Sequence, residues 1–513
     1  MKILFYSTCI LYNKIAYGVL SDEAQKMANE GHEVYFLTCG KKCGKHIMNC
    51  CSGNPQANKG LCITCELWTS KALSVLDKNI KRISFADYAA SQNTGTEWKY
   101  GSSKELRNIV YRNANIGLAA MSFYIDNTRN LYPKINSESK PYFDNLLDQG
   151  SILTDASFKL LSDLKPDKVV LFNGRLLETR VLYDTCLNLN VPVDVMEVHP
   201  SNIPNKSFKV IFENNLPHNI KYRHKVITDM WDNSPLEEEE KISIANSFFI
   251  KRREKKRAGD KVYTAHQEFG LLPEEWDDSK HNIAIFNSSE DEFAAVGGDF
   301  DKLALFDSQL EGLKYILDHF KGNKDYHFYL RVHPNLSKIG YKYHTDLYKL
   351  SERYSNINVI PATDRIDTYA LMDAAEKVVV FGSTMGIEAA YWNKPVILLG
   401  ASLYYYADIC HIPKTKEEII PIITSDIESK QNLFIQKFGY YFMDFKRATF
   451  EEQMYKYFDY TTYSISIGGF KAHGVNYQKL LGSKKLLLLT VSTMRLISGK
   501  IFRNKYRLPL EEE

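Results

Sequence analysis

The stretch Lys377–Gly400, KVVVFGSTMGIEAAYWNKPVILLG, constrains the fold more than any other part of the chain. Lys377 to Phe381 is a short β-branched run of the kind that forms a buried strand. Gly382-Ser383-Thr384 interrupts it, and Thr384 is placed to cap a helix from Met385 to Trp392. Asn393-Lys394-Pro395 stops that helix, and Val396 to Leu399 is a second buried strand. A Gly-Ser-Thr turn entering a helix gathers backbone N–H groups, two hydroxyls and the positive end of the helix dipole. That is anion chemistry, most simply phosphate chemistry. Glu388 follows one helical turn further in, where a carboxylate accepts hydrogen bonds from the two hydroxyls of a ribose. Turn and glutamate together read as a nucleotide site. The alternative is an ordinary α/β crossover carrying a solvated glutamate.

The rest of the chain supplies a setting for this unit. Lys2 to Ser7 reads as a strand, Gly18 to Glu30 as a helix through Leu20, Ala24, Met27 and Ala28, and His32 to Thr38 as a second strand. This is the opening of a Rossmann-like βαβ unit, and it lacks the GxGxxG that a dinucleotide requires. The parallel pattern resumes at Asp167 with DKVVLFNGR, followed by a helix over Leu176–Leu189 and a strand over Val191–Val198 that ends at His199-Pro200. Leu236 to Arg257 reads as one long helix. Its acids, Glu237 to Glu240, lie at the start and its bases, Lys251 to Arg257, at the end. That polarity suits the helix dipole, so a solvated helix accounts for both charge runs. The polar stretch Gln267–Ser279 reads as a linker. Strands at Asn282–Phe286, Tyr326–Val332 and Asn356–Ile360, with helices at Leu303–Phe320 and Asp367–Ala375, then lead into the opening motif. Asp426 to Phe458 reads as helical. The expected fold class is α/β with two Rossmann-like domains, 1–275 and 280–425, followed by C-terminal helices and a tail over 426–513.

A length of 513 residues fits two domains, and 44% hydrophobic with 25% charged residues is a globular composition. A net charge of +3 gives no electrostatic footprint for nucleic acid. The first residues, MKILFYSTCI, read as a strand rather than a leader, and no apolar run reaches membrane-spanning length. These features predict a cytoplasmic protein whose nine cysteines are reduced. Six of them, Cys39, Cys43, Cys50, Cys51, Cys62 and Cys65, share one loop. Cys62-x-x-Cys65 has metal-knuckle spacing, and the others can complete four thiolates around a structural zinc or an iron–sulfur cluster. Free thiols in a tight loop are the alternative. The segment Lys484–Arg507 carries seven basic residues and no acid among Leu, Ile, Val and Phe. This composition suits an interfacial helix on anionic lipid, at the inner membrane, or else a core helix with a basic end.

Three loops of the second domain fall at the C-terminal ends of strands: Asn287-Ser288-Ser289, Arg331-Val332-His333-Pro334 and Gly382-Ser383-Thr384. In open parallel sheets that edge is where ligands bind. These loops, with Asn173-Gly174-Arg175, Ser288-Ser289-Glu290-Asp291-Glu292-Phe293 and Gly382-Ser383-Thr384-x-Gly386-x-Glu388-Ala389, resemble the capsule polysaccharide biosynthesis family. That family includes bacterial transferases of Kdo from CMP-Kdo. The His-Pro pair also occurs in bacterial CMP-sugar sialyltransferases and CDP-polyol phosphotransferases. The resemblance implies a GT-B glycosyltransferase, with two Rossmann-like domains facing a crevice. It implies donor binding by Ser288, Ser289, Arg331, His333, Ser383, Thr384 and Glu388. On the acceptor side it implies Asn173, Arg175 and His218, with Glu197 or His199, at a strand end, as the base. The donor would be a nucleotide sugar, a CMP-sugar ahead of a UDP-sugar, and the acceptor a glycan or glycolipid of a growing surface polysaccharide. No Asp-x-Asp motif stands at a strand end, which suits metal-independent transfer. The rival readings are a nucleotide-sugar 2-epimerase, a CDP-polyol phosphotransferase and, outside enzymes, a metal-dependent binding module.

Overall fold

The computed structural model describes residues 1–7, 13–40, 65–66, 69–70, 72–74, 76–89, 96–200, 207–259, 262–443, 460–467, 470–477 and 509–513. The chain forms two compact units, Met1–Pro217 with Glu452–Glu513, and His218–Glu451.

The first unit is built on β1 (Lys2–Tyr6), β2 (Glu33–Thr38), β3 (Lys81–Ser84), β4 (Lys168–Phe172), β5 (Val193–Pro200) and β6 (Ser207–Glu213). Their order is β3-β2-β1-β4-β5-β6. All pairs are parallel except β5 with β6. Ile3, Leu4, Phe5 and Tyr6 of β1 are buried, as a central strand with helices on both faces requires. The helix Lys14–Asn29 starts where Asn13 accepts a hydrogen bond from the Ala16 N–H.

Strand β6 is absent from the sequence expectation, and it changes the setting of two candidate residues. β5 runs on to Pro200 and pairs antiparallel with β6 from Asp194↔Glu213 to Pro200↔Ser207. Glu197 and His199 therefore lie within a strand, opposite Val210 and Phe208, and not at its end. The cause is the alternation in SFKVIFE, which has the period of a half-buried edge strand. Near its middle, buried Lys209 pairs with buried Glu23.

The second unit contains a five-stranded sheet of β7 (His281–Phe286), β8 (Tyr326–Arg331), β9 (Ile357–Ile360), β10 (Lys377–Val380) and β11 (Val396–Leu398). The order is β11-β10-β7-β8-β9 and every pair is parallel. The helices Ile220–Asp232, Glu238–Arg253 and Phe434–Met443 belong to this unit. Phe248 packs on Phe438 and Phe442, and Trp231 meets Tyr440 edge-on at 5.4 Å. That aromatic seam moves the boundary from the expected 275 to Pro217. The expected linker is likewise a built part of the second unit. Glu268 N–H donates to the Arg365 carbonyl at 2.7 Å, Asp367 N–H to that of Leu271 at 2.9 Å, and Thr368 N–H to Gln267 Oε1 at 2.9 Å.

Of the helical stretch expected over Asp426–Phe458, Phe434–Met443 is helix and 426–433 is not, while 444–458 lie outside the described residues. Beyond them, β12 (Tyr460–Ile467) and β13 (Phe470–Tyr477) form an antiparallel hairpin with Ile467 opposite Phe470. The terminal residues Pro509–Glu513 pack on the first unit, where Lys134 N–H donates to the Glu511 carbonyl at 2.9 Å and Glu513 N–H to that of Tyr132 at 2.8 Å. The basic segment Lys484–Arg507 lies outside the described residues. Among the described residues no helix is long and apolar enough to cross a membrane.

Candidate functional site

In the second sheet β7 lies between β10 and β8, so the chain leaves these adjoining strands at one edge in three neighbouring loops. Hydrogen bonds tie the loops together. Ser288 Oγ donates to the Phe381 carbonyl at 3.2 Å, which links the β7 loop to β10. His333 N–H donates to Asn287 Oδ1 at 2.8 Å, which links it to β8. Gln309 clamps Ser288 on both sides, accepting from its N–H at 3.0 Å and donating through Nε2 to Oγ at 2.7 Å. Ser289 Oγ donates to Asp291 Oδ1 at 2.8 Å and accepts from Asn335 Nδ2 at 3.1 Å. His333 Nδ1 accepts from the Asn335 N–H at 3.2 Å, so in the neutral ring the proton is on Nε2.

The Gly382 turn is set by sterics. Its φ is +103°, and a Cβ there would stand 2.4 Å from the Ala401 carbonyl oxygen, so only glycine fits. Ser383, and not Thr384, supplies the cap: Ser383 Oγ accepts from the Met385 N–H at 3.3 Å, while Thr384 is already helical and makes no side-chain cap. Thr384 Oγ1 instead accepts from an Arg252 Nη at 3.4 Å.

Glu388, expected to receive the hydroxyls of a ribose or else to lie in solvent, is turned inward. It is fully buried on the helix Met385–Tyr391. Arg252 Nε donates to its Oε1 at 3.0 Å, and the Tyr369 hydroxyl donates to Oε2. Burial, and then the Glu388 charge, push the Tyr369 phenol far up, so it remains a donor. The basic end of the helix Glu238–Arg253 is thus engaged rather than solvated, with Arg252 on Glu388 and Arg253 on Asp373. Tyr369, Arg253, Asp373, Phe269 and Trp392 line a cavity of about 410 Å³ beside this cluster.

Arg331 is also a correction. It is 2% exposed, and its two Nη atoms donate to the carbonyls of Pro361 at 2.8 Å and Asp364 at 3.0 Å. Burial pulls its pKa down to about 10. It fastens the segment after β9 to β8 and does not present its guanidinium to a ligand. Glu290, by contrast, acquires interest from its surroundings. Burial, with the nearby Asp291 charge, pushes its carboxyl up to about 7, against the hydrogen bond it accepts from the Gln309 N–H.

In the first unit Asn173 adopts φ +65° at the end of β4, and its Nδ2 donates to Glu197 Oε1 at 2.7 Å. Its Oδ1 accepts from the Arg175 N–H at 3.2 Å, and Arg175 Nε donates to Ser122 Oγ at 2.9 Å. Asn173, Arg175 and Glu197 are therefore brought together. Glu197 is the first residue beyond the last β4–β5 pair, Phe172↔Met196, which still puts it at the edge of the parallel sheet. The His199 side chain lies outside the described residues. His218 opens the second unit, its ring 6.3 Å from that of Phe300. Of the cysteine loop, Cys39 and Cys65 are among the described residues, with Cys65 Sγ 4.0 Å from Thr69 Oγ1, and Cys43, Cys50, Cys51 and Cys62 lie outside them. Among the described residues no three His, Cys, Asp or Glu side chains gather as a metal site.

Arg252, Tyr369 and Gln309 were not legible as site residues. Arg252 and Glu388 are 136 positions apart, and no local pattern marks such a pair.

The family described as capsule polysaccharide biosynthesis protein matches residues 299–417, which hold β8 to β11, Arg331, His333, Ser383, Thr384 and Glu388. The resemblance drawn from the motifs holds over this segment. No curated protein matches the chain. Among solved structures, the beta Kdo 2,4 transferase of Thermosulfurimonas dismutans KpsC aligns over 54% of this chain and 79% of its own, at 13% identity and TM-score 0.34. The beta Kdo 2,7 transferase of the same KpsC aligns over 66% and 89%, at 15% identity and TM-score 0.32. The UDP-GlcNAc 2-epimerase from Methanocaldococcus jannaschii aligns over 84% and 94%, at 13% identity and TM-score 0.26. The chain is thus an α/β protein with two largely parallel sheets, whose second sheet carries a segment similar to capsule polysaccharide biosynthesis proteins.

Proposed function

We propose that this protein is a glycosyltransferase of surface or capsular polysaccharide synthesis, whose second unit holds the nucleotide of a nucleotide-sugar donor. One observation carries the reading: three strand-end loops, bonded to one another through Ser288–Phe381 and Asn287–His333, lie within or beside the segment similar to capsule proteins. The Ser383 hydroxyl, the His333 Nε2–H and the Arg252 guanidinium are the donors that would meet a phosphate, while the Ser289 proton is held by Asp291. Their task is to stabilise the charge that grows on the departing nucleotide. Glu388 serves this site by fixing Arg252 next to Thr384. In the first unit Glu197, oriented by Asn173, takes the proton of the acceptor hydroxyl, with His199 the alternative base and Arg175 an acceptor contact.

A CMP-sugar is the preferred donor and a UDP-sugar the alternative, because the family that the motifs resemble includes enzymes using CMP-Kdo. The acceptor is a glycan or glycolipid, and the basic segment Lys484–Arg507 would bring the protein to an anionic membrane surface. A zinc or iron–sulfur cluster in the cysteine loop would order that loop. Product analysis with a nucleotide sugar separates the leading reading from an epimerase. The expected result is no change in the donor alone and sugar transfer once an acceptor is added. Conversion of the donor to an epimer without acceptor would overturn the proposal.

A further inference from the structure

The residues after β11 leave the second sheet at the same edge as the Gly382 turn and pack directly on it. The Tyr404 hydroxyl donates to the Ser383 carbonyl, and a Cβ on Gly386 would stand 2.2 Å from that hydroxyl. Tyr404 is buried, but the next two residues, Tyr405 and Tyr406, are half-buried, with their rings edge-to-face at 5.2 Å. Both pack against the cluster of Ile220, Val296 and Phe300. Asp299 sits at the hydroxyl of Tyr406.

Each of these rings carries an ammonium over its face. Lys414 Nζ lies 5.3 Å from the centre of the Tyr405 ring, and Lys221 Nζ lies 5.2 Å from that of Tyr406. The lysines come from separate segments, one from the helix Ile220–Asp232 and one from the loop after β11, and both are exposed. Among the described residues neither ammonium has a carboxylate partner within ion-pair distance. A cation held on an aromatic face differs from one held by a carboxylate: the ring restricts its position without cancelling its charge. Two positioned positive charges with no ion-pair partner among the described residues, beside half-open tyrosines, form a surface for an anion that also carries a ring to stack. The net charge of +3 over 513 residues shows no general excess of basic groups to account for them.

We propose that Tyr405, Tyr406, Lys221 and Lys414 form a subsite for an acidic saccharide. Its carboxylates or phosphates pair with the two ammoniums, and a sugar ring lies against the tyrosines. The inference rests on the glycosyltransferase reading for the class of ligand, but it makes no use of the nucleotide.

The test uses the full chain and two probes of equal length, a sialic acid tetramer and maltotetraose, titrated by calorimetry, with CMP titrated in parallel. The sialic acid tetramer should bind, and maltotetraose should bind far more weakly. The double variant Lys221→Ala/Lys414→Ala should weaken the acidic tetramer about tenfold or more, since a charged hydrogen-bonding partner is lost at each position. Lys221→Arg/Lys414→Arg should retain it, and Tyr405→Ala/Tyr406→Ala should lose it. CMP affinity should be unchanged throughout. The lysines are exposed, so their variants should keep the wild-type melting temperature. Equal binding of the two tetramers, no binding of the acidic one, or unchanged affinity in the lysine double variant would each overturn the subsite. Lysine-dependent binding of the acidic tetramer by a protein that ignores CMP would sustain the subsite and sink the nucleotide reading instead.

Discussion

Glu388 is a fully buried carboxylate, and its charge is tolerable only because Arg252 and Tyr369 both donate to it. Arg252→Ala strands that charge and should cost about 3 kcal/mol of unfolding free energy in urea, the usual loss for half of a buried pair. Arg252→Lys should recover part of it. Glu290 gives a pH prediction. Its carboxyl ionises near 7 in the folded protein, above its ordinary value, so the folded state favours the protonated form. The stability it contributes is complete below about pH 4.5 and is lost as pH rises through about 7, by on the order of 2 kcal/mol. Glu290→Gln should flatten that fall in urea titrations at pH 5 and pH 8. An unchanged slope would place the titration elsewhere. The sequence placed Ser383 and His333 on strand-end loops, as the structure does, because turn chemistry is local. It misread Arg331 and the basic helix end because composition reports charge and not what the charge touches.

Short β-branched runs made the parallel strands other than β3 readable, since a strand covered on both faces has few alternatives; β3 falls in a stretch that reads as helical. β6 and the Tyr460–Tyr477 hairpin were missed because edge strands carry weaker patterns and find their partners only in space. The position of the domain boundary failed for a related reason. Gln267–Ser279 is polar, as a linker would be, yet its backbone is bonded to Arg365, Asp367 and Thr368. Helix packing offers a direct check. A Cβ on Gly439 would stand 2.6 Å from the Ala245 carbonyl oxygen and 2.8 Å from the Phe249 ring. Gly439→Ala should therefore cost about 1–3 kcal/mol in thermal or urea unfolding by forcing the two helices apart. No loss of stability would mean that the seam between Glu238–Arg253 and Phe434–Met443 is looser than described.

At the scale of the whole molecule, the similarity to capsule proteins covers 299–417, while the expected acceptor groups other than His218 and the docked residues Pro509–Glu513 belong to the first unit. That docking refines how a lipid role for Lys484–Arg507 should be tested. Truncation would also remove the contacts to Tyr132 and Lys134, so replacing the seven basic residues with glutamine is the cleaner experiment. The variant should leave anionic vesicles while the intact chain co-sediments with them at low salt. Retention of the variant would assign vesicle binding to another surface. The central claim is that the linked loops of the second sheet hold a nucleotide, and calorimetric titration with CMP tests it most directly. The account predicts that the wild-type chain binds CMP, and that His333→Ala and Ser383→Ala each weaken binding about tenfold or more with unchanged melting temperature. A wild-type chain that binds no nucleotide, or two variants with unaltered affinity, would contradict it.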